Sequence, residues 1–488
     1  MSLKKTVAIA AAAGALAAIS LPAMAMENQF NGQFNVKGFV SNYEAGGSGY
    51  ITPANDTRRA NNYFEQRARL YYTAKASDDL KLVLGFEIDS VWGDRAQGGL
   101  NGAGTDAFAS TYTGAFRNSG GAMESDAVNL ETKHAYLNFK IPSIPTTMTV
   151  GIQPIKDVFK GILFDVDIAG ITAATKVGGA TIGLGYYRGY DNSYLASGAA
   201  RPRGMDSLHI GAVTTDFALS KDLNIGAAYY LYEDGRAANS FDVHTFGATY
   251  GAKLGALSLS GFAAMQQGVL KTVPGTTYSQ THAALSGYAF NTAAKMAVGP
   301  GAFRTAFLFT TGDNGGDNIN TAWQGVMYSA TTPSAFAATS GNTYNEGGMM
   351  LLNRNAAQHG AGAQSTDYSL VYSSNNKNQG VWLYTLGYDA TITPKAYLNS
   401  NLGFAWASKT NANKPTNLTD KSKNGSNFEG SEINVEAGYK MYDNLTFKFQ
   451  VAYVMLGGYY TDSTADGKGK FATPENPYSV RTGLCYAF

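Results

Sequence analysis

The stretch Phe64-Glu65-Gln66-Arg67-Ala68-Arg69-Leu70-Tyr71-Tyr72-Thr73-Ala74-Lys75, followed after Ser77-Asp78-Asp79 by Leu80-Lys81-Leu82-Val83-Leu84-Gly85-Phe86-Glu87-Ile88-Asp89, fixes the fold class. Side chains alternate across a strand with a period of two. Phe64, Ala68, Leu70, Tyr72 and Ala74 therefore share one face, and Glu65, Arg67, Arg69, Tyr71, Thr73 and Lys75 share the other. The second segment repeats the division, with Leu80, Leu82, Leu84, Phe86 and Ile88 against Lys81, Glu87 and Asp89. One face suits lipid and the other water, over the roughly ten residues that a tilted membrane strand needs.

The same alternation closes the sequence, where Tyr478, Val480, Thr482, Leu484, Tyr486 and Phe488 form an apolar or neutral face and Arg481 and Gly483 lie opposite. A strand of this kind suits the last stave of a closed barrel in lipid, because a closed sheet leaves no unpaired backbone edge. At the other end, Lys4 and Lys5 precede an apolar run from Val7 to Leu21, then Pro22 and Ala23-Met24-Ala25. These are the three regions of a secretory signal peptide. Residues 1–25 are expected to be removed, leaving 26–488 as one barrel domain placed in a bacterial outer membrane.

Composition agrees. The chain carries 37 Lys and Arg against 36 Asp and Glu; without Lys4 and Lys5 the balance is 35 against 36. A near-neutral chain lacks the basic footprint of a nucleic-acid binder. Mean hydropathy is −0.18, too polar for a helical membrane protein, while 25 Phe, 31 Tyr and 4 Trp provide the aromatics that collect at membrane interfaces. Cys485 is the single cysteine, so no intramolecular disulfide forms and no C-x-x-C-H haem motif exists.

Short turns fall at Asp78, Pro142 to Pro145, Val177 to Gly179, Ser220 to Asp222, Ala252 to Gly255, Val298 to Gly301, Thr393 to Lys395 and Met441 to Asn444, with longer connections between. Strands are expected near residues 30, 63, 80, 130, 147, 169, 180, 207, 223, 241, 256, 282, 302, 365, 381, 396, 429, 445 and 478. Bacterial single-chain barrels have an even number of strands. The positions near 365 and 381 form the ambiguous pair, giving about 18 strands, with 16 as the alternative. The Gly- and Asn-rich stretch from Gly312 to Gln364 reads as a surface loop, folded back over the mouth at most.

A barrel of this size leaves an aqueous lumen, so function lies in what narrows it. Pro154 to Asp167 follows the fifth strand and interleaves Lys156, Asp157, Lys160, Asp165 and Asp167 with Ile155, Val158, Phe159, Ile162, Leu163 and Phe164. So much apolar surface belongs against the inner wall, with the carboxylates held toward the opening. Arg67 and Arg69 would face them and create a transverse field, unless they pair with Glu65, Glu87 or Asp89 along the wall. Arg304, Lys448 and Arg481 also fall on inward faces. The five histidines are scattered (His134, His209, His244, His282, His359), and no H-E-x-x-H or paired Cys/His spacing points to a metal. Gly312 to Asn318 departs from the calcium-loop pattern. Neither G-x-S-x-G nor a Ser/His/Asp arrangement occurs, so no enzyme activity and no cofactor are expected.

The signal peptide, the segment Phe64 to Leu70, the Gly151-Ile152-Gln153-Pro154 approach to an inward loop, and terminal Tyr486-Ala487-Phe488 together resemble the Gram-negative porin family, and within it porins of metal-respiring anaerobic bacteria. The resemblance implies a homotrimer, insertion by the barrel-assembly machinery through the strand bearing Tyr486 and Phe488, and a third external loop, Pro154 to Asp167, forming the eyelet. The expected function is passive diffusion of small hydrophilic solutes and ions. The alternative is a solute-selective channel or a sheath for an outer-membrane cytochrome conduit.

Overall fold

The computed structural model describes residues 26–43, 60–92, 130–191, 207–235, 240–271, 282–315, 319–326, 344–353, 369–371, 374–465 and 471–488. The expected signal peptide, the connection from Gly93 to Ser125, His359 and the strand position at residue 365 lie outside these.

Eighteen long strands form one closed antiparallel sheet: β1 (Glu27–Ser41), β2 (Asn61–Ser77), β3 (Leu80–Val91), β4 (Glu131–Lys140), β5 (Thr146–Lys156), β6 (Asp165–Val177), β7 (Ala180–Asp191), β8 (Ser207–Ser220), β9 (Leu223–Asp234), β10 (Ser240–Leu254), β11 (Leu257–Lys271), β12 (His282–Val298), β13 (Gly301–Thr310), β14 (Val381–Thr393), β15 (Ala396–Ala407), β16 (Phe428–Tyr442), β17 (Leu445–Leu456) and β18 (Tyr478–Ala487). Each pairs with its neighbours in chain order. Closure is made by β1, which pairs with β2 from Glu27↔Lys75 to Ser41↔Asn61 and with β18 from Gln33↔Ala487 to Ser41↔Ser479. The last residue is tied in as well, through Gly32 N–H to Phe488 O (3.0 Å) and Phe488 N–H to Gly32 O (3.1 Å). The count of long strands among the described residues is thus 18 rather than 16, and the position near 381 is a strand of the wall.

The alternation read from sequence is the alternation of the wall. Leu184 (54% exposed), Ile171 (49%) and Val213 (42%) point outward, whereas Glu65 (0%), Glu87 (1%) and Thr245 (0%) point inward. Two aromatic girdles bound the oily band. Toward the long connections stand the pairs Phe64–Trp92, Phe309–Trp382 and Trp406–Phe428, with centroids 4.8 to 5.1 Å apart; toward the short turns stand Phe30–Tyr72 and Tyr486–Phe488.

The apolar core lies inside the cylinder, at the long-connection end. It joins inward wall residues such as Tyr230, Tyr232, Phe262 and Leu308 to residues 159–164 and to pieces of the connection 311–380. For the described parts of Gly312 to Gln364, residues 312–315, 319–326 and 344–353, the reading as a surface loop is corrected here. Trp323, Tyr344, Met350, Leu351 and Leu352 are 0 to 1% exposed. A bore of 18 strands cannot be filled by wall side chains alone, so an apolar connection that enters it gains burial there.

A charge placed on the lipid face should unfold the barrel, while one on the lumen face should be tolerated. Leu184→Arg is expected to cost about 2–4 kcal/mol, as for a cation near the bilayer midplane. Thr181→Arg, on the opposite face of the same strand, is expected to cost under about 1 kcal/mol. Denaturant unfolding in lipid vesicles measures both.

Candidate permeation pathway

Two connections enter the bore. The third long connection, residues 157–164, begins where the wall releases its hairpin: the β4–β5 ladder ends at Ala135↔Ile152, but β5 and β6 stay paired to Lys156↔Asp165. The freed tip leans across to β9 and β11. Phe159 lies 5.8 Å from the Tyr230 ring and 5.5 Å from that of Phe262, and Phe164 lies 5.3 Å from Tyr230. The Tyr230 hydroxyl accepts the Val158 N–H at 3.1 Å. Gly247 makes room for this contact, since a Cβ there would sit 2.6 Å from the Phe159 ring. Burying Phe159 and Phe164 contributes roughly 1.5–3 kcal/mol each.

The tip is organised from within by Asp157. Its Oδ1 accepts the N–H groups of Phe159 (2.7 Å) and Gly161 (3.3 Å), and its Oδ2 those of Leu163 (2.8 Å) and Phe164 (2.7 Å). Lys160 and Gly161 supply the left-handed turn, at φ 61° and 82°. Burial pushes the Asp157 carboxyl up to about 6, against the four donors that pull it down. The carboxylate expected to face the opening is therefore the internal brace of the loop.

The seventh long connection, residues 311–380, meets this tip and then ties to the far wall. Trp323 Nε1 donates to Ile162 O (3.3 Å), Val326 N to Leu163 O (2.8 Å) and Ser374 Oγ to Ile162 O (3.0 Å). Lys160 Nζ reaches Glu346 at 3.2 Å. Across the bore the β16 residue Glu432 accepts three successive backbone N–H groups, from Met350 (2.7 Å), Leu351 (2.9 Å) and Leu352 (2.5 Å). Asn434 donates to Gly348 O at 3.0 Å, Arg481 Nη2 to Met350 O at 3.3 Å, and Arg304 Nη1 to Glu346 O at 3.0 Å. Residues 344–352 are thus held from β13, β16 and β18 together.

The inward charges of β2 to β4 form a separate belt. Arg67 grips Asp89 with two hydrogen bonds of 2.6 Å, from Nε to Oδ1 and from Nη2 to Oδ2, and lies 3.5 Å from Glu87. Arg69 pairs with Glu87. Lys133 Nζ sits 2.7 Å from Asp167 and 3.7 Å from Glu87, and His134 Nε2 sits 3.0 Å from Asp167. Neighbouring charges along the wall are thus the partners of these arginines. Of the loop acids, Asp165 pairs with Lys156 at 2.9 Å and Asp167 reaches the belt. Glu65 is fully buried beside it.

The remaining inward cations divide. Arg304 lines a cavity of about 590 Å³ with Glu346, Asp389, Tyr397 and Asn399, bonded there to Asp389 at 3.1 Å and to Asn401. Arg481 is 1% exposed, its guanidinium 5.6 Å from the Phe39 ring centre. Lys448 reaches Glu436 at 3.9 Å. Sequence reasoning missed Glu432, Lys133 and the bond between Lys160 and Glu346. The signal for the first was present, since Met349-Met350-Leu351-Leu352 is a run too apolar for an exposed loop.

No protein-family model matches this chain, nor does any curated protein. Among solved structures, OccAB1 of Acinetobacter baumannii is similar over 94% of this chain and 96% of its own, with TM-score 0.52 and 9% identity. OccAB4 of the same organism gives 0.50 and 11%, over 96% and 99% of the two chains. The outer membrane protein opdK of Pseudomonas aeruginosa gives 0.50 and 8%, over 94% and 98%. At these identities the likeness is one of fold, that of an 18-stranded Gram-negative outer-membrane barrel.

Titration of Asp157 should loosen the tip as pH rises. Its carboxyl is raised from 3.8 to about 6 in the folded chain, so the stability it lends is complete below about pH 3.8, declines to about pH 6 and stays low above that. Fluorescence of Trp323, bonded to Ile162 in the same tip, should report an inflection near pH 6 that disappears in Asp157→Asn. That substitution should itself open residues 157–164 to proteolysis, because its amide offers one acceptor oxygen to donors that now share two.

Proposed function

We propose that the chain is an outer-membrane porin, a channel through which small hydrophilic solutes and ions cross by passive diffusion. The observation that carries this reading is the closed barrel whose inward face carries buried charges on β2, β3, β16 and β18 while the outward face is oily between two aromatic girdles. The fold shared with outer-membrane proteins supports it. Residues 1–25 direct export and are cleaved; the short turns face the periplasm and the long connections the outside. The finer kinship, to porins of metal-respiring bacteria, stays part of this proposal. So do a homotrimer and insertion by the barrel-assembly machinery through Tyr486 and Phe488.

The path narrows at the outer half of the bore, where residues 157–164 and 344–353 meet. Glu65, Arg67, Arg69, Glu87, Asp89 and Asp167 line one side of it and Arg304 and Arg481 the other, with Lys448 lying beyond them toward the short turns. A solute passing there exchanges water for fixed dipoles and charges, which favours polar over apolar passengers. Solute selection by this inner lining is the finer form of the reading. The cytochrome-sheath alternative is less favoured, because this chain's own connections occupy the space that a threaded haem protein would need.

Folded protein in a planar bilayer should conduct in steps. A folded chain that never conducts would refute the channel. Glu432→Ala removes the acceptor of three backbone donors, each worth about 1–3 kcal/mol when left unsatisfied. Step conductance should rise as 344–352 leave the bore. Replacing Arg67 and Arg69 together should shift permeability toward cations, read as a change in reversal potential.

A further inference from the structure

The inward face changes character toward the short turns. Lys81 on β3, Lys176 on β6, Lys253 on β10 and Lys440 on β16 all sit at the short-turn ends of their strands, exposed and without an ion pair among the described residues. Each shares its face with inward residues higher on the same strand. Lys81 is in phase with Glu87 and Asp89, Lys176 with Thr172 and Ile168, Lys253 with Thr245 and Val243, and Lys440 with Glu436, Asn434 and Glu432. Around the ring of 18 strands they are separated by 3, 4, 6 and 5 strands, so the widest gap spans a third of the ring.

Four further lysines share this level but are balanced. Lys75 lies 2.7 Å from Asp78, Lys140 2.5 Å from Asp79, Lys295 3.8 Å from Asp389 and Lys448 3.9 Å from Glu436. Asp78 and Asp79 stand in a turn, outside the bore, as do Asp222 and Asp443, while Lys75 also lies 3.6 Å from Glu27 on β1. Inward-facing acids are also present near this level, namely Glu27, Asp216, Asp389 and Glu436, but the eight lysines outnumber them, whereas Asp78, Asp79, Asp222 and Asp443 outnumber Lys221 and Lys395 in the turns. That arrangement suits a small anion inside the mouth better than an acidic protein docked across the turns, which would meet their carboxylates first.

We propose that this lysine collar is an electrostatic filter at the inner mouth, separate from the constriction, that concentrates small anions and makes the channel anion-preferring. The proposal rests on the porin reading. Its reach follows from screening. With strands about 4.8 Å apart and tilted about 40°, 18 strands give a radius of roughly 18 Å. Extended lysines leave roughly 12 Å between ammonium and axis. The Debye length is about 10 Å at 0.1 M salt and about 3 Å at 1 M, so the collar influences the axis only in dilute salt.

The test is reversal potential in planar bilayers under a potassium chloride gradient, with acetate and phosphate replacing chloride to separate carboxylate from phosphate preference. Wild-type protein should favour the anion near 0.1 M and lose most of that preference near 1 M. The variant K81Q/K176Q/K253Q/K440Q should conduct while its anion-to-cation ratio falls several-fold toward unity; the turn variant K221Q/K395Q should match wild type. A wild-type channel that is unselective or cation-preferring in dilute salt overturns the proposal, and needs no variant to fold. So does a conducting quadruple variant with unchanged selectivity. A folded wild-type chain that never conducts overturns the porin reading and the collar with it.

Discussion

Everything in this molecule follows from the need to satisfy backbone N–H and C=O groups where no water can reach them. A sheet in lipid has two edges, and each exposed group at an edge costs several kcal/mol. The ladders on either side of β1 remove both edges at once, and Phe488 extends the seam by a last pair of bonds to Gly32. Once the cylinder is closed, lipid dictates the outer residue of each strand and leaves the inner one free to be polar. The charged belt on β2 to β4 is a product of that freedom, since no soluble sheet could afford such a row on its packed face.

Closure at 18 strands creates a second problem, because the bore is too wide for its own side chains. The chain answers by sending in two connections, which face the same backbone difficulty in miniature. Both solve it with a buried carboxylate. Asp157 gathers four N–H groups of its own loop, and Glu432 gathers three from residues 350–352. A carboxyl group offers several acceptor sites in a small volume, so it suits irregular backbone with successive N–H groups aimed at one point. Breaking either brace leaves several donors exposed to an apolar interior, which makes these two acids the switches of loop position.

The wall was legible from sequence and the contents of the bore were not. Alternation is a one-dimensional signal with a period of two, and lipid on one side enforces it, so strands such as Phe64 to Lys75 read directly. Residues inside a connection carry no period. Asp157 looked like a charge for the opening because only its type was visible, whereas its role depends on a turn through Lys160 and Gly161 that brings four amides to it. Arg67 and Arg69 were placed on the correct face, but their partners, Asp89 and Glu87, depend on the β2–β3 register, which pairs those residues directly. The long connection was misread because its Gly, Asn and Ser content resembles a solvent loop, and those residues instead supply side-chain amides and tight turns to a packed interior.

The two ends of the bore are consequently governed by different physics. At the outer end, side chains and loop backbone are fully engaged with one another, so a passing solute must compete with bonds between about 2.5 and 3.3 Å that already exist. Selection there depends on shape and on replacing specific hydrogen bonds, which salt hardly alters. At the inner end Lys81, Lys176, Lys253 and Lys440 stand exposed, and long-range attraction dominates, so salt alters it strongly. An inward-moving solute meets the specific barrier before the diffuse field, and an outward-moving one meets them in reverse. Under the channel and collar proposals, the field raises local anion concentration on one side of the barrier only, which leaves no reason for equal conduction in both directions.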